Sequence, residues 1–286
     1  MGFVINNNLA ANNSYRNLNA TQSDLSKSLE KLSTGLRINR AGDDAAGLSI
    51  SEGLKSQVTG SAQAARNAQD GISVIQTAEG ALTEVHSILQ RMRDLAVQGG
   101  NDTNNTDART AIQTEADGLG KELDRITTST NFAGIKLLDG SAGTAGVISI
   151  QAGADGAADN VVSVNLGNAA TSINTGAAFS AATGAAGFKV GTAAEATQTI
   201  ADLDKSIAAV SAQRSDLGAS QNRLEYTIKS LNIAGENLQA AQSRIADVDM
   251  AQEMVKFTKA NILSQAGTAM LAQANQSSQG VLSLLR

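Results

Sequence analysis

The chain has 286 residues, of which 42% are hydrophobic and only 2% aromatic, with a formal charge of −5, one histidine, and neither cysteine nor proline. No disulfide or thiolate metal site can form, His86 alone cannot build a multi-histidine zinc centre, and nothing supplies the basic footprint that nucleic-acid phosphates require. No run of about 18 apolar residues offers a membrane span, the first residues lack the basic and apolar regions of a Sec signal, and a proline-free chain can carry long uninterrupted helices.

The first predicted element is a helix whose apolar or small positions run Ala11, Tyr15, Leu18, Leu25, Leu29, Leu32 and Leu36, with Gln22 on the missing beat. This 4-3 spacing is a heptad seam of the coiled-coil kind. A second helix is expected from Asp44 through Val58, Ile72, Ile75, Leu82, Val85, Leu89 and Met92 to Leu95. The adjacent carboxylates Asp43 and Asp44 read as N-terminal dipole partners rather than a metal pair. Gly99, Gly100 and the Asn-rich turn to Asn105 end that helix, and Thr106 or Asp107 is the expected N-cap of a third, carrying Ile112, Ala116, Leu119, Leu123 and Ile126.

From 131 to 192 the character changes. Gly, Ala, Ser and Thr dominate, and the period falls to two at Ile148 and Ile150, then at Val162, Val164 and Leu166, with turn chemistry at Gly153 to Gly156 between them. A small β-hairpin subdomain is expected there. A helix from about 195 to 245, on the order of 75 Å at about 1.5 Å per residue, then carries a seam of Leu217, Leu224, Ile228, Leu231, Leu238 and Ile245. Met250, Met254 and Phe257 continue the stripe, Leu271 adds to it, and Val281, Leu282, Leu284 and Leu285 close the chain. The predicted class is therefore mainly α: an elongated helical bundle or coiled coil of paired N- and C-terminal helices, with a β-hairpin subdomain in the middle. The seam residues expected to drive assembly are Leu18, Leu25, Leu29, Leu32, Leu36, Leu238, Ile245, Met254, Phe257, Leu271, Leu282 and Leu285.

Catalytic patterns are missing. There is no HExxH, no P-loop and no G-x-S-x-G elbow. His86, between Val85 and Ser87, reads as a surface or groove histidine, and Arg91-Met92-Arg93-Asp94 as a solvated helix face. No cofactor is implied, and the expectation is a structural subunit rather than an enzyme.

Four segments carry a resemblance to bacterial flagellins: Met1-Gly-Phe-Val-Ile-Asn-Asn-Asn8; Leu32-Ser-Thr-Gly-Leu-Arg-Ile-Asn-Arg-Ala-Gly-Asp-Asp-Ala-Ala-Gly-Leu48; Leu89-Gln-Arg-Met-Arg-Asp-Leu-Ala-Val-Gln98; and Ala260 to Asn275 with the closing Val281-Leu-Ser-Leu-Leu-Arg286. Asn131-Phe-Ala-Gly-Ile-Lys-Leu-Leu-Asp-Gly140 is similar to the start of the family's β region. The resemblance implies a subunit of the flagellar filament: an inner D0 layer of paired terminal helices at 1–42 and 244–286, and a D1 layer from 43–192, including the β region 131–192, with the helix 193–243. It implies export through the flagellar type III apparatus, an extracellular filament for swimming motility, and self-assembly as a helical homopolymer. The partners it implies are hook-junction and cap proteins, an export chaperone and, in vertebrate hosts, Toll-like receptor 5, but neither nucleic acid nor membrane. The family's receptor-contacting arginine, leucine and glutamate fall on Arg91, Leu95 and Glu115. Met92 and Asp94 depart from the commoner valine and glutamate, Arg40 and Gly42 from serine and lysine, and Ser278 stands where proline is frequent, two residues before Gly280. The alternative within the same fold is a hook–filament junction protein, whose members resemble flagellin ends more loosely.

Overall fold

The computed structural model describes the backbone of residues 8–169, 171 and 188–284, and the side chains among these as far as residue 276. Leu282 and Leu285 of the expected seam, Ser278 and Gly280, and residues 170 and 172–187 of the expected β region lie outside the described side chains or residues. Five long helices and two small antiparallel sheets follow in the order α1 (Leu9–Thr34), α2 (Ala45–Gly99), α3 (Thr106–Ser129), β1 (Asn131–Phe132), β2 (Ile135–Lys136), β3 (Val147–Gln151), β4 (Val161–Asn165), α4 (Ala193–Ala246) and α5 (Met250–Leu284). The mainly helical class with a small β subdomain is the one expected. The chain forms two compact units: residues 1–56 with 237–286, and residues 57–236.

Each helix end has a local chemical cause. Asn8 caps α1 by accepting the Ala11 N–H at 3.0 Å. Gly35, in the left-handed conformation at φ 73°, ends the helix by returning its N–H to the Lys31 carbonyl. Asp44 precedes α2 and accepts the Gly47 N–H at 2.9 Å. Asp43 serves the preceding turn instead, accepting from the Asn39 and Arg40 N–H groups at 3.1 Å each. The N-cap of α3 is Asn105, one residue earlier than expected, because its side chain reaches the Ala108 N–H at 2.8 Å.

The 57–236 unit is built on heptad ladders. From α2 come Ala68, Ile75, Leu82 and Leu89, with Ala78, Val85 and Met92 between them; from α4 come Ala196, Leu203, Val210, Leu217 and Leu224; α3 adds Ile112, Ala116 and Leu123. All are buried, at about 1.5–3 kcal/mol for each large aliphatic side chain. Met92 belongs to this core, so the segment read as a solvated face is solvated only at its charged residues. The β subdomain packs Leu137, Leu138, Ile150, Val162, Val164 and Leu166 into the same core.

The two hairpins differ in how they turn. β1 and β2 join through Ala133 (φ 50°) and Gly134 (φ 86°), two consecutive positive φ values that suit a two-residue hairpin loop. β3 and β4 pair in the register Ile148↔Val164 and Ile150↔Val162, the residues whose alternation predicted strands. After the undescribed stretch the chain is anchored again at buried Phe188 and Val190. Arg109 Nη1 donates to the carbonyls of Val190 and Gly191 at 2.9 Å each. Gly143 holds φ 55°, and a Cβ there would stand against the Val147 carbonyl oxygen. Gly143→Ala is accordingly expected to destabilise the β subdomain by about 2 kcal/mol, read as a lower midpoint in denaturant; an unchanged midpoint would contradict this account of the turn.

Candidate assembly interface

Residues 1–56 and 237–286 bring the two ends of the sequence together. α1 and α5 pack along one another as an antiparallel pair. The stripe that α1 turns inward is Ala11, Ser14, Leu18, Thr21, Leu25, Ser28 and Leu32; α5 answers with Glu253, Phe257, Ala260, Ser264, Gly267, Leu271 and Ala274. Both stripes follow a 4-3 beat. The composition differs from the expected one: every second beat on α1 is a small or hydroxylic residue, and the bulkier neighbours Tyr15 and Leu29, expected on the seam, are exposed. The alternate beat falls one residue earlier than expected, on Ser14, Thr21 and Ser28 rather than on Tyr15, Gln22 and Leu29.

Of the residues expected to drive assembly, Leu18, Leu25, Leu32, Phe257 and Leu271 line this intramolecular seam. Leu238 and Ile245, on α4, are half-buried. Leu29, Leu36 and Met254 are not part of the inner seam: they are exposed at 55%, 36% and 50%. On α5 the exposed set is Met250, Met254, Val255, Ile262, Leu263 and Met270. Met254, Val255, Ile262 and Leu263 line a shallow apolar groove with Thr258 and Lys259. An apolar stripe of this kind on a solvated helix is what a partner helix covers.

Two features that the heptad count does not show complete this unit. The first is a clasp between the chain segments joining the helices. Arg37 N–H donates to the Ala246 carbonyl at 2.6 Å, Val248 N–H donates to the Gly35 carbonyl at 3.0 Å, and Leu36 bridges Asp247. The Arg37 guanidinium adds bonds from Nε (3.2 Å) and Nη2 (2.8 Å) to the Ile245 carbonyl, which the end of α4 leaves open. The second is Glu253, the one charged side chain buried among the described residues, at 4% exposure. Its Oε1 accepts the Ser28 hydroxyl at 2.6 Å and its Oε2 accepts Lys256 Nζ at 3.0 Å. A carboxylate on a seam beat was the available signal, since apolar identity is the norm there.

In the 57–236 unit, Arg91 and Glu115 are brought together across α2 and α3. Arg91 Nη2 and Nε donate to Glu115 Oε1 at 2.7 and 3.0 Å, and both side chains are about half exposed. Leu95 is different. It is 1% exposed and packs in the core, so it lies beneath the surface that Arg91 and Glu115 present. Arg93 Nε donates to Asp204 Oδ1 at 2.6 Å, tying α2 to α4. His86 has Gln90 at 2.9 Å from Nε2, and its buried Nδ1 has no partner. No group of three or more His, Cys, Asp or Glu side chains is placed to hold a metal among the described residues, and no described helix is long and apolar enough to cross a membrane.

Comparison with known proteins decides what this pair of helices belongs to. Residues 5–143 match the bacterial flagellin N-terminal helical region, and residues 200–285 match the bacterial flagellin C-terminal helical region. The chain belongs to the bacterial flagellin family. A flagellin of Halalkalibacterium halodurans is 51% identical over 283 residues, covering 99% of this chain and all of the relative; one of Bacillus subtilis is 49% identical over 306 residues, covering 99% of each. The crystal structure of Bacillus cereus flagellin is similar at 30% identity, with a TM-score of 0.48, over 58% of this chain and 88% of that one. Flagellins are structural proteins, not enzymes, and the two family matches fall on the two sequence ends that α1 and α5 bring together.

The surroundings of Glu253 set a pH dependence for this flagellin's terminal pair. Burial pushes its carboxyl up, but the hydrogen bonds from Ser28 and Lys256, with the charges of Lys256 and Lys31, outweigh burial and hold it below the ordinary glutamate value of 4.5. A depressed carboxylate adds stability that is present above its unfolded value and lost as pH falls through its folded one. The α1–α5 pairing is thus expected to weaken on acidification below about pH 4.5, followed by helical circular dichroism of assembled protein. Glu253→Gln should flatten that limb, and an identical acid profile would refute the assignment.

Proposed function

We propose that this flagellin polymerises into the filament through the outward stripes of α1 and α5, each covered by further copies of the same chain. The exposed apolar row on α5, Met254 and Val255 followed two turns later by Ile262 and Leu263, carries this reading. Leu29 on α1 and Leu36 in the linker after it offer a second exposed apolar surface. Heterologous contacts of this kind propagate into a helical polymer where the rotation between copies does not close a ring. In this reading residues 1–42 and 244–286 form the inner D0 layer, and 43–192 with 193–243 form D1. The chain is secreted through the flagellar export apparatus with a chaperone, and joins a filament bounded by hook-junction and cap proteins. Charge on the row tests the assembly reading: Val255→Asp with Ile262→Asp should abolish long polymers in seeded assembly viewed by electron microscopy. The thermal transition of residues 57–236 should stay in place. Long filaments from the double variant would overturn it.

The monomer is also read by Toll-like receptor 5 in this proposal, through Arg91 and Glu115, with Leu95 supporting them from beneath. The exposed ion pair holds a guanidinium and a carboxylate in a fixed arrangement on one surface. Arginine is a frequent anchor of protein interfaces, and losing one costs on the order of 1.4 kcal/mol or more, about tenfold in affinity. Arg91→Ala should shift the dose response of receptor signalling to higher monomer concentration by about that factor. An unchanged curve would remove Arg91 from the receptor surface.

A further inference from the structure

The inner seam of α1 and α5 poses a problem of specification. Side chains of one heptad beat resemble those of the next: Leu18, Leu25 and Leu32 are interchangeable, and so in shape are Ser14, Thr21 and Ser28. On α5 the beats in phase with Glu253, namely Ala260, Gly267 and Ala274, are all small, and Phe257, Ser264 and Leu271 alternate with them. Where the α1 leucines meet these small beats, a slide of seven residues changes the packing little, so apolar contact there marks the register weakly. Within it, Ser28 and Glu253 are both buried, 225 positions apart in sequence, and are joined at 2.6 Å.

We propose that the Ser28–Glu253 hydrogen bond is the register key of the terminal helix pair. Ser28 and Glu253 position the helices, and the leucines supply adhesion without specificity. A slide of seven residues in one direction puts Ala260 opposite Ser28 and leaves Glu253 facing Gly35, which has no side chain. In the other direction Ala246 faces Ser28, and Glu253 meets Thr21, whose hydroxyl hydrogen is already given to the Asn17 carbonyl at 2.9 Å. Either slide buries the carboxylate without its serine donor, leaving Lys256 of its own helix as the remaining partner, and a buried carboxylate oxygen that loses its donor is more costly than a neutral acceptor that does so. Only the observed register satisfies Glu253 from both helices, by Ser28 on α1 and by Lys256 on α5. The linker clasp at Arg37 secures one end of the pair, and the key acts about two turns further in.

The chain has no cysteine, so introduced thiols report register without interference. A Cβ on Gly267 would lie 3.8 Å from Leu18 Cβ, about the separation of a relaxed disulfide. Three full-length double variants are compared under seeded assembly: Leu18→Cys with Gly267→Cys for the observed register, and Leu18→Cys with Ala260→Cys or Ala274→Cys for a slide of seven residues either way. Mixing isotopically light and heavy chains separates intrachain from interchain bonds by mass spectrometry. The intrachain 18–267 bond should dominate in the parent. Ser28→Ala and Glu253→Ala should each raise the share of a displaced bond at least fivefold, while Glu253→Gln, which still accepts from Ser28, should restore the parent pattern. If Glu253→Ala forms no bond of any kind, Ser28→Ala decides. Unchanged shares in Ser28→Ala, or no 18–267 bond in the parent, would overturn the proposal. Intrachain bonds are counted whether or not filaments form, so this result stands apart from the assembly test.

Discussion

The pairing of α1 with α5 is the interaction from which the terminal unit follows, because each helix carries an apolar stripe that it cannot bury against itself. A helix of this amphipathic kind derives most of its stability from packing rather than propensity. The chain supplies the partner from its other end, and the clasp from Gly35 to Arg37 against Ala246 to Val248 brings both linkers to one place. The stripes left over, on the flank of α1 and along α5, are then a consequence of geometry. An α-helix wide enough in apolar residues to serve two neighbours can face only one of them within its own chain.

Much of this was legible in the sequence, for reasons that can be named. The ladders at Ile75, Leu82 and Leu89, and at Leu217 and Leu224, announce themselves because large aliphatic residues recur every seven positions with polar residues between. The hairpin at Ile148, Ile150, Val162 and Val164 is equally plain from its period of two. What periodicity cannot report is which of two overlapping ladders faces inward. On α1 the larger residues at Tyr15 and Leu29 pointed to one phase, and the paired helix turns Ser14 and Ser28 inward in their place.

Single polar contacts were harder still to foresee. Asn105 rather than Thr106 caps α3, a matter of one residue in a stretch where several side chains can cap. Leu95 shares a face with Arg91 on the helical wheel, yet packing of the 57–236 unit buries it while Arg91 reaches solvent to meet Glu115. Glu253 and Ser28 find each other across 225 residues, a pairing that only the antiparallel fold creates.

The small side chains of the inner seam also have a thermodynamic consequence. Heat capacity change on unfolding scales with the apolar surface released. Opening a seam of Ala, Ser, Thr and Gly between spaced leucines releases little of it, whereas the leucine and isoleucine ladders of residues 57–236 release much more for each turn of helix. The terminal pair is therefore expected to have a flatter stability curve than residues 57–236 and a smaller enthalpy of opening for each turn of helix. Within one chain, the terminal pair is calorimetrically the quieter unit.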